Sequence, residues 1–145
     1  MHEILFRAKE ISTDKWVEGY LVKISEDDYR IATEEDINWS YTKLGDYDGV
    51  MTCVNPETIC QYTGLTDKNG NKIWENDVCY YDDMDVCVVR FGEYDNNTGH
   101  KHVGFYTAWR KYKYMFRSDI GFWVKERELE VIGNIFDNPE LLEGR

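Results

Sequence analysis

The chain has 145 residues, 31% of them charged and 42% hydrophobic, with a formal net charge of −11; this is the size of one ordinary domain, able to bury roughly two-thirds of its unfolded surface. The hydrophobic content excludes a disordered polar chain, the uncharged apolar runs fall far short of a membrane span, and the acidic balance repels a nucleic-acid backbone at long range. Cys53, Cys60, Cys79 and Cys87 are separated by six, eighteen and seven residues, which is neither a zinc-ligand spacing nor a small secreted disulfide framework, so the thiols are expected to stay reduced, with Cys53, Cys79 and Cys87 packed as small hydrophobes.

In chain order, the opening Met-His-Glu-Ile-Leu-Phe-Arg has no basic region followed by an apolar stretch, so no secretory signal is expected and the protein is placed in the cytoplasm. Residues 4–8 and 16–24 form a hairpin across the polar turn Ser12-Thr13-Asp14-Lys15, and 29–32 supplies a third strand. The acidic Glu34-Glu35-Asp36 and the Gly-Asp-rich 43–49 read as surface loop. Asn55-Pro56 ends a short strand, because proline has no N–H to donate and biases the preceding residue towards extended backbone. A strand resumes over 59–62 and is broken at Gly64. Asp67-Lys68-Asn69-Gly70 then reverses the chain: the aspartate accepts from backbone beyond it, while Asn69 and Gly70 tolerate positive φ. Strands are predicted over 78–81 and, as a buried β-branched run, over 86–91, joined by the turn Asp82-Asp83-Met84-Asp85. Residues 92–99 read as loop, 103–109 as strand or short helix, and 121–124 and 130–136 as extended, with Gly133 a bulge or close-approach point. Asn138-Pro139 caps a final helical turn on which Leu141 and Leu142 can dock.

Short strands joined by Gly, Asn and Asp turns predict a mainly β, antiparallel domain curling into a small barrel, with minor helix. The residues around the central turn carry more than turn chemistry. Thr58, Gln61-Tyr62-Thr63-Gly64-Leu65, Asp67-Lys68-Asn69-Gly70, Lys72-Ile73, Glu75 and Asp77-Val78 resemble the signature of the YopX family. Val131-Ile132-Gly133-Asn134-Ile135-Phe136, followed by Asn138-Pro139-Glu140-Leu141-Leu142, is similar to that family's other hallmark, and Phe6-Arg7-Ala8 with Trp16-Val17 before Gly19-Tyr20 is similar to its opening. The resemblance spans nearly the whole chain, least over 25–50 and 82–124. It implies a phage or prophage origin in a bacterial host, an SH3-like β-barrel core and a role not assigned for the family, and it carries over no catalytic residues. On this reading residues 1–145 are a single domain, with a hairpin region 1–50 packing on a barrel core 51–142. Asn76 stands where the family usually has glycine; asparagine is the residue most at ease there after glycine, so a left-handed backbone is expected at this position.

The charge is uneven. No Asp or Glu occurs from Asn96 to Ser118, where Lys101, Arg110, Lys111, Lys113 and Arg117 add five positive charges, leaving −16 on the rest (−11 less 5). Six aromatics interleave these cations between Lys101 and Arg117, the composition of a single-strand nucleic-acid platform. The same alternation fits strands with rings to the core and cations to water, and a third use is a cationic segment meeting an acidic face of a second copy. The candidate binding residues are therefore Lys101, Trp109, Arg110, Lys111, Tyr112, Lys113 and Arg117. Asp82-Asp83 with Asp85, and Asp46 with Asp48, lack the glycine and distal glutamate of a calcium loop, and His2, His100 and His102 have no metalloenzyme spacing. No phosphate-cradling loop and no nucleophile motif is present. No cofactor, metal or membrane partner is expected. The expected role is a non-enzymatic protein-binding or self-associating module, since 22 of 145 residues are aromatic, more than a domain of this size readily buries. The alternatives are a single-strand-binding module using 101–117 and an acidic decoy of a host DNA-binding protein.

Overall fold

Punctuation by Gly, Asn and Asp at short intervals produces ten strands in the computed structural model, which describes residues 3–33, 51–81, 85–95, 99–110 and 118–143. The strands are β1 (Phe6–Lys9), β2 (Trp16–Lys23), β3 (Tyr29–Ala32), β4 (Thr52–Val54), β5 (Cys60–Thr66), β6 (Lys72–Trp74), β7 (Asp77–Tyr81), β8 (Asp85–Asp95), β9 (Lys101–Trp109) and β10 (Glu130–Asn134). Among the described residues, one helix, α1 (Ile120–Arg127), lies between β9 and β10, and 3₁₀ turns occupy Pro56–Thr58 and Pro139–Leu142. The expected turn residues 34–36, 43–49 and 82–84 fall outside the described residues, as do Lys111, Tyr112, Lys113 and Arg117.

The chain divides into two compact units, Met1–Tyr62 and Thr63–Arg145. The division falls inside β5 and not near residue 50, because β4 pairs with β3 and the start of β5 pairs with β1. In the first unit the strands run β4-β3-β2-β1-β5, all antiparallel. Ala8, Ile31 and Val54 are fully buried there, flanked by Phe6, Val17, Leu21, Tyr29 and Ile59. Gly19 is required by crowding: a Cβ would lie 2.4 Å from the carbonyl oxygen of Ala32 on the neighbouring strand. Cys53 is exposed, against the expectation that it packs in the core, whereas Cys60 is buried. In β4 the inward position belongs to Val54, and alternation turns Cys53 out.

In the second unit β5 continues to Thr66 and reverses into β6, and a four-stranded antiparallel sheet runs β10-β7-β8-β9. Gly64 does not end β5; it adopts φ 86° within it, a left-handed residue that any side chain would strain. The main core gathers Ile73, Cys79, Cys87, Val89, Trp109, Ile120, Trp123 and Leu129, and a second cluster of Val78, Val86 and Val88 receives Leu141 and Leu142. The segment 121–124, expected to be extended, is helical. Asp119 caps it by accepting from the Phe122 N–H at 3.3 Å, and the buried Ile120 and Trp123 stand one turn apart. Nor is 92–95 loop, since β8 runs through it to Asp95, paired residue for residue with β9. Neither sheet order returns on itself among the described residues, so the expected small barrel is replaced by open antiparallel sheets.

Candidate functional site

Two features of the second unit hold polar or aromatic groups in deliberate arrangements: the turn after β5, and the far end of the β8–β9 hairpin. The turn is closed by the Asp67 N–H donating to the Asn71 carbonyl at 2.8 Å and the Gly70 N–H to the Asp67 carbonyl at 3.0 Å. The Asp67 side chain then ties the turn down. Oδ1 accepts from the N–H groups of Asn69 and Asn71, both at 2.9 Å, and Oδ2 accepts from the Val131 N–H on β10 at 3.0 Å. Burial alone would push this carboxyl up, but the N–H donors of Val131, Asn71 and Asn69 outweigh it and hold Asp67 below its ordinary value. Lys68 and Asn69 add contacts at 3.4 Å to the two Glu130 carboxylate oxygens.

The other hallmark residues are explained by the same kind of local locking. Asp77, 1% exposed, accepts from the Trp74 N–H at 2.8 Å, and Asn76 takes the expected left-handed backbone at φ 71°. Asn76 donates its N–H to the Val89 carbonyl at 2.7 Å, and its side-chain oxygen accepts from Arg90 at 2.9 Å. At β10 the register shifts between Val131 and Gly133, the expected bulge. A Cβ on Gly133 would lie 2.5 Å from Asn138 Oδ1, the same oxygen that accepts from the Asn134 N–H at 3.2 Å. Asn134 Oδ1 in turn accepts from the N–H groups of Phe136 and Asp137. Asp67, Asp77, Asn134 and Asn138 each accept from backbone N–H groups, which gives these side chains a holding role in the fold.

The hairpin end is different. β7 pairs with β8 only from Asp85 to Val88, so beyond Val89 the ribbon of β8 and β9 continues without a third strand among the described residues. On one face of this arm Phe91 meets Phe105 edge-on at 5.0 Å, with Glu93, Val103, Asp95 and Lys101 beyond them. Phe91 is 53% and Val103 74% exposed. On the other face Gly92 and Gly104 lie opposite each other, and the rings of His102, Tyr94 and Tyr106 stack in sequence over that floor at 5.4 and 5.6 Å.

The sequence-derived candidates separate on this framework. Lys101 is exposed on the arm, 3.3 Å from Glu93. Trp109 is buried against Trp123, with its indole N–H donating to the Thr107 hydroxyl at 2.9 Å, so its ring is core and offers no face for a base. Arg110 sits 3.7 Å from the buried Asp85 carboxylate and donates to the Leu141 and Glu143 carbonyls. Phe91 and Tyr94 lie outside the 101–117 segment and were missed, while His102, Val103 and Tyr106 lie within it but were not among the named candidates. Their signal is the Gly92/Gly104 spacing, legible only once the strands are known to face each other.

A shallow cavity of about 460 Å³ lies between Lys68, Tyr80, Tyr81 and the stretch Lys125–Glu130. Its cations Lys68, Lys125 and Arg127 are matched in number by Glu126, Glu128 and Glu130, so its lining carries no net formal charge. Among the described residues no three His, Cys, Asp or Glu converge as a metal-holding group, and no helix is long and apolar enough to cross a membrane.

A family model described as "YopX protein" matches residues 5–143. The chain belongs to the YopX family. The turn locked by Asp67 and the bulge locked by Asn134 and Asn138 both lie within the matched span of this YopX chain. The fold is similar to that in the crystal structure of protein EF1440 from Enterococcus faecalis, with a TM-score of 0.53 and 22% identity over 99% of this chain and 100% of that one. No curated protein matches the chain.

Proposed function

We propose that this YopX protein is a non-enzymatic, phage- or prophage-encoded accessory protein of the bacterial cytoplasm that works by binding protein, its own copies included, through the β8–β9 arm. The observation that carries this reading is the exposure of Phe91 and Val103 on a ribbon that leaves its sheet. Exposed apolar side chains gathered on one projecting face are the usual mark of an interaction surface. The described polar clusters support the same reading, since Asp67, Asp77 and Asn134 are spent on backbone donors. Light scattering on the purified chain, together with capture of partners from a bacterial lysate, tests it. Association that is lost when Phe91 is replaced by Lys supports the arm; a monomer that captures nothing overturns the reading.

A second reading, single-strand nucleic-acid binding, is favoured by the His102–Tyr94–Tyr106 ring stack on one face of the arm. It expects salt-sensitive binding of an oligonucleotide that weakens when Lys101, Lys111 and Lys113 are neutralised. Arg110 is left out of that set because it is held by Asp85. Absence of binding at low ionic strength disposes of it.

A further inference from the structure

The two edges of the arm are unequal. On the β9 side the edge is taken inside the chain, since Tyr106 bridges Asp119 and the Thr107 N–H donates to the Ser118 carbonyl at 2.8 Å. On the β8 side the hydrogen-bond register says what is presented. The Arg110 N–H donates to the Val86 carbonyl at 3.0 Å, which makes that pair a hydrogen-bonded one, and the next such pairs follow at every second residue along the ladder. Val89, Phe91 and Glu93 fall between them, so their N–H and C=O groups point away from β9. Val89 bears this out, because its carbonyl accepts from the Asn76 N–H at 2.7 Å. β7 pairs with β8 only as far as Val88, so beyond Asn76 no strand among the described residues meets the outward groups of Phe91 and Glu93.

We propose that the β8 edge at Phe91 and Glu93 accepts an extended segment of a basic partner protein as an added antiparallel strand, with an apolar side chain set beside Phe91 and a lysine or arginine beside Glu93. This rests on the protein-binding reading above and gives the partner a chemistry. Each of the two residues then exchanges both of its outward backbone groups with one partner residue, the main-chain half of strand addition. The side chains supply the other half. Alternation puts Phe91, Glu93 and Asp95 on one face, with Phe91 53% exposed and the Glu93 side chain 60% exposed, so the edge reads as one apolar position followed by two carboxylates. A second copy does not fit it: self-pairing about Glu93 would set Glu93 against Glu93, and the same carboxylate that blunts the edge against itself selects a cation. The chain's net charge of −11 draws basic partners from a distance and repels its own copies. Lys101 lies 3.3 Å from Glu93 within the arm, but both side chains are largely exposed, and a pair of that kind is weak enough to yield to a cation held in the ladder.

A blocked, fluorescently labelled peptide of sequence Lys-Thr-Lys-Thr-Val, whose pattern runs antiparallel to 91–95, tests this on the full chain by anisotropy at low salt. It is expected to bind at least about tenfold more tightly than the matching Glu-Thr-Glu-Thr-Val peptide, and to lose binding when its second lysine and its valine are N-methylated, which removes the two donors the edge needs. Glu93→Gln, at an exposed position, is expected to leave far-ultraviolet circular dichroism unchanged and to erase most of the preference for the lysine peptide. Amide exchange supplies an independent readout, since the N–H groups of Phe91 and Glu93 should gain protection when the lysine peptide is added. No binding in the millimolar range overturns the proposal, and so does equal binding of the two peptides or binding that leaves those two amides in fast exchange. If the proposal falls while the arm still captures a protein in a way that Phe91→Lys abolishes, the protein-binding reading stands without it. If nothing is captured, both fall.

Discussion

Asp67 shows how one side chain can tie a local turn to a distant strand. Its carboxylate accepts from N–H groups of Asn69 and Asn71 in the turn and from Val131 far along the chain. Its folded-state value is lowered. The stabilisation it provides is therefore complete above the value of an unfolded aspartate, about 3.9, and is lost as pH falls below that towards the folded value. Asp67→Asn keeps the shape but turns an NH₂ towards one of the donors. An unfolding titration at neutral pH is expected to show a loss of about 1–3 kcal/mol, and the acid limb of the stability curve below about pH 4 should flatten in the variant. The need for Asp67 at the turn was legible, because the Asp-Lys-Asn-Gly pattern demands an acceptor at its first position. Its tie to Val131 was not, because nothing local in either segment points to the other. Cys53 was misread for a related reason: in a three-residue strand, composition does not say which position alternates inward.

At the scale of elements, the boundaries were written most clearly where glycine, asparagine or proline sits between strands, and least clearly where a glycine is part of the strand. Gly64 and Gly92 both read as breaks and both lie inside strands. In the arm, Gly92 and Gly104 face each other and leave room for rings to lie across the sheet, so the ladder continues through them. The helix over Ile120–Arg127 was hidden by its Gly-Phe-Trp-Val start, whose β-forming residues are overridden by the Asp119 cap and by burial of Trp123. The end of β9 carries its own prediction. Arg110 faces the Asp85 carboxylate, which has no exposed side-chain surface, and removing a buried charge's partner costs far more than an exposed pair contributes. Arg110→Ala should lower unfolding stability by about 3 kcal/mol in a chemical melt while leaving any oligonucleotide affinity of the folded protein unchanged. A stable variant with lost binding would return Arg110 to the candidate site.

The whole molecule is built as two units whose interiors contain thiols on both sides of the division, Cys60 in the first and Cys79 with Cys87 in the second. Cys79 and Cys87 are paired across β7 and β8, and the neighbouring Cys87 thiol and burial push Cys79 well above its ordinary value. A thiol reagent at neutral pH is expected to consume one equivalent, at Cys53, in the native protein and the remaining three only in denaturant. Rapid consumption of all four would show that these cores open readily. The link between Asp67 and Val131 bears on how such a core comes into being. As the chain leaves the ribosome, the turn after β5 emerges long before the residue that clamps it, so the second unit stays provisional until translation reaches β10. A message truncated just before codon 131 should yield a product that proteases clear, because its latch was never synthesised.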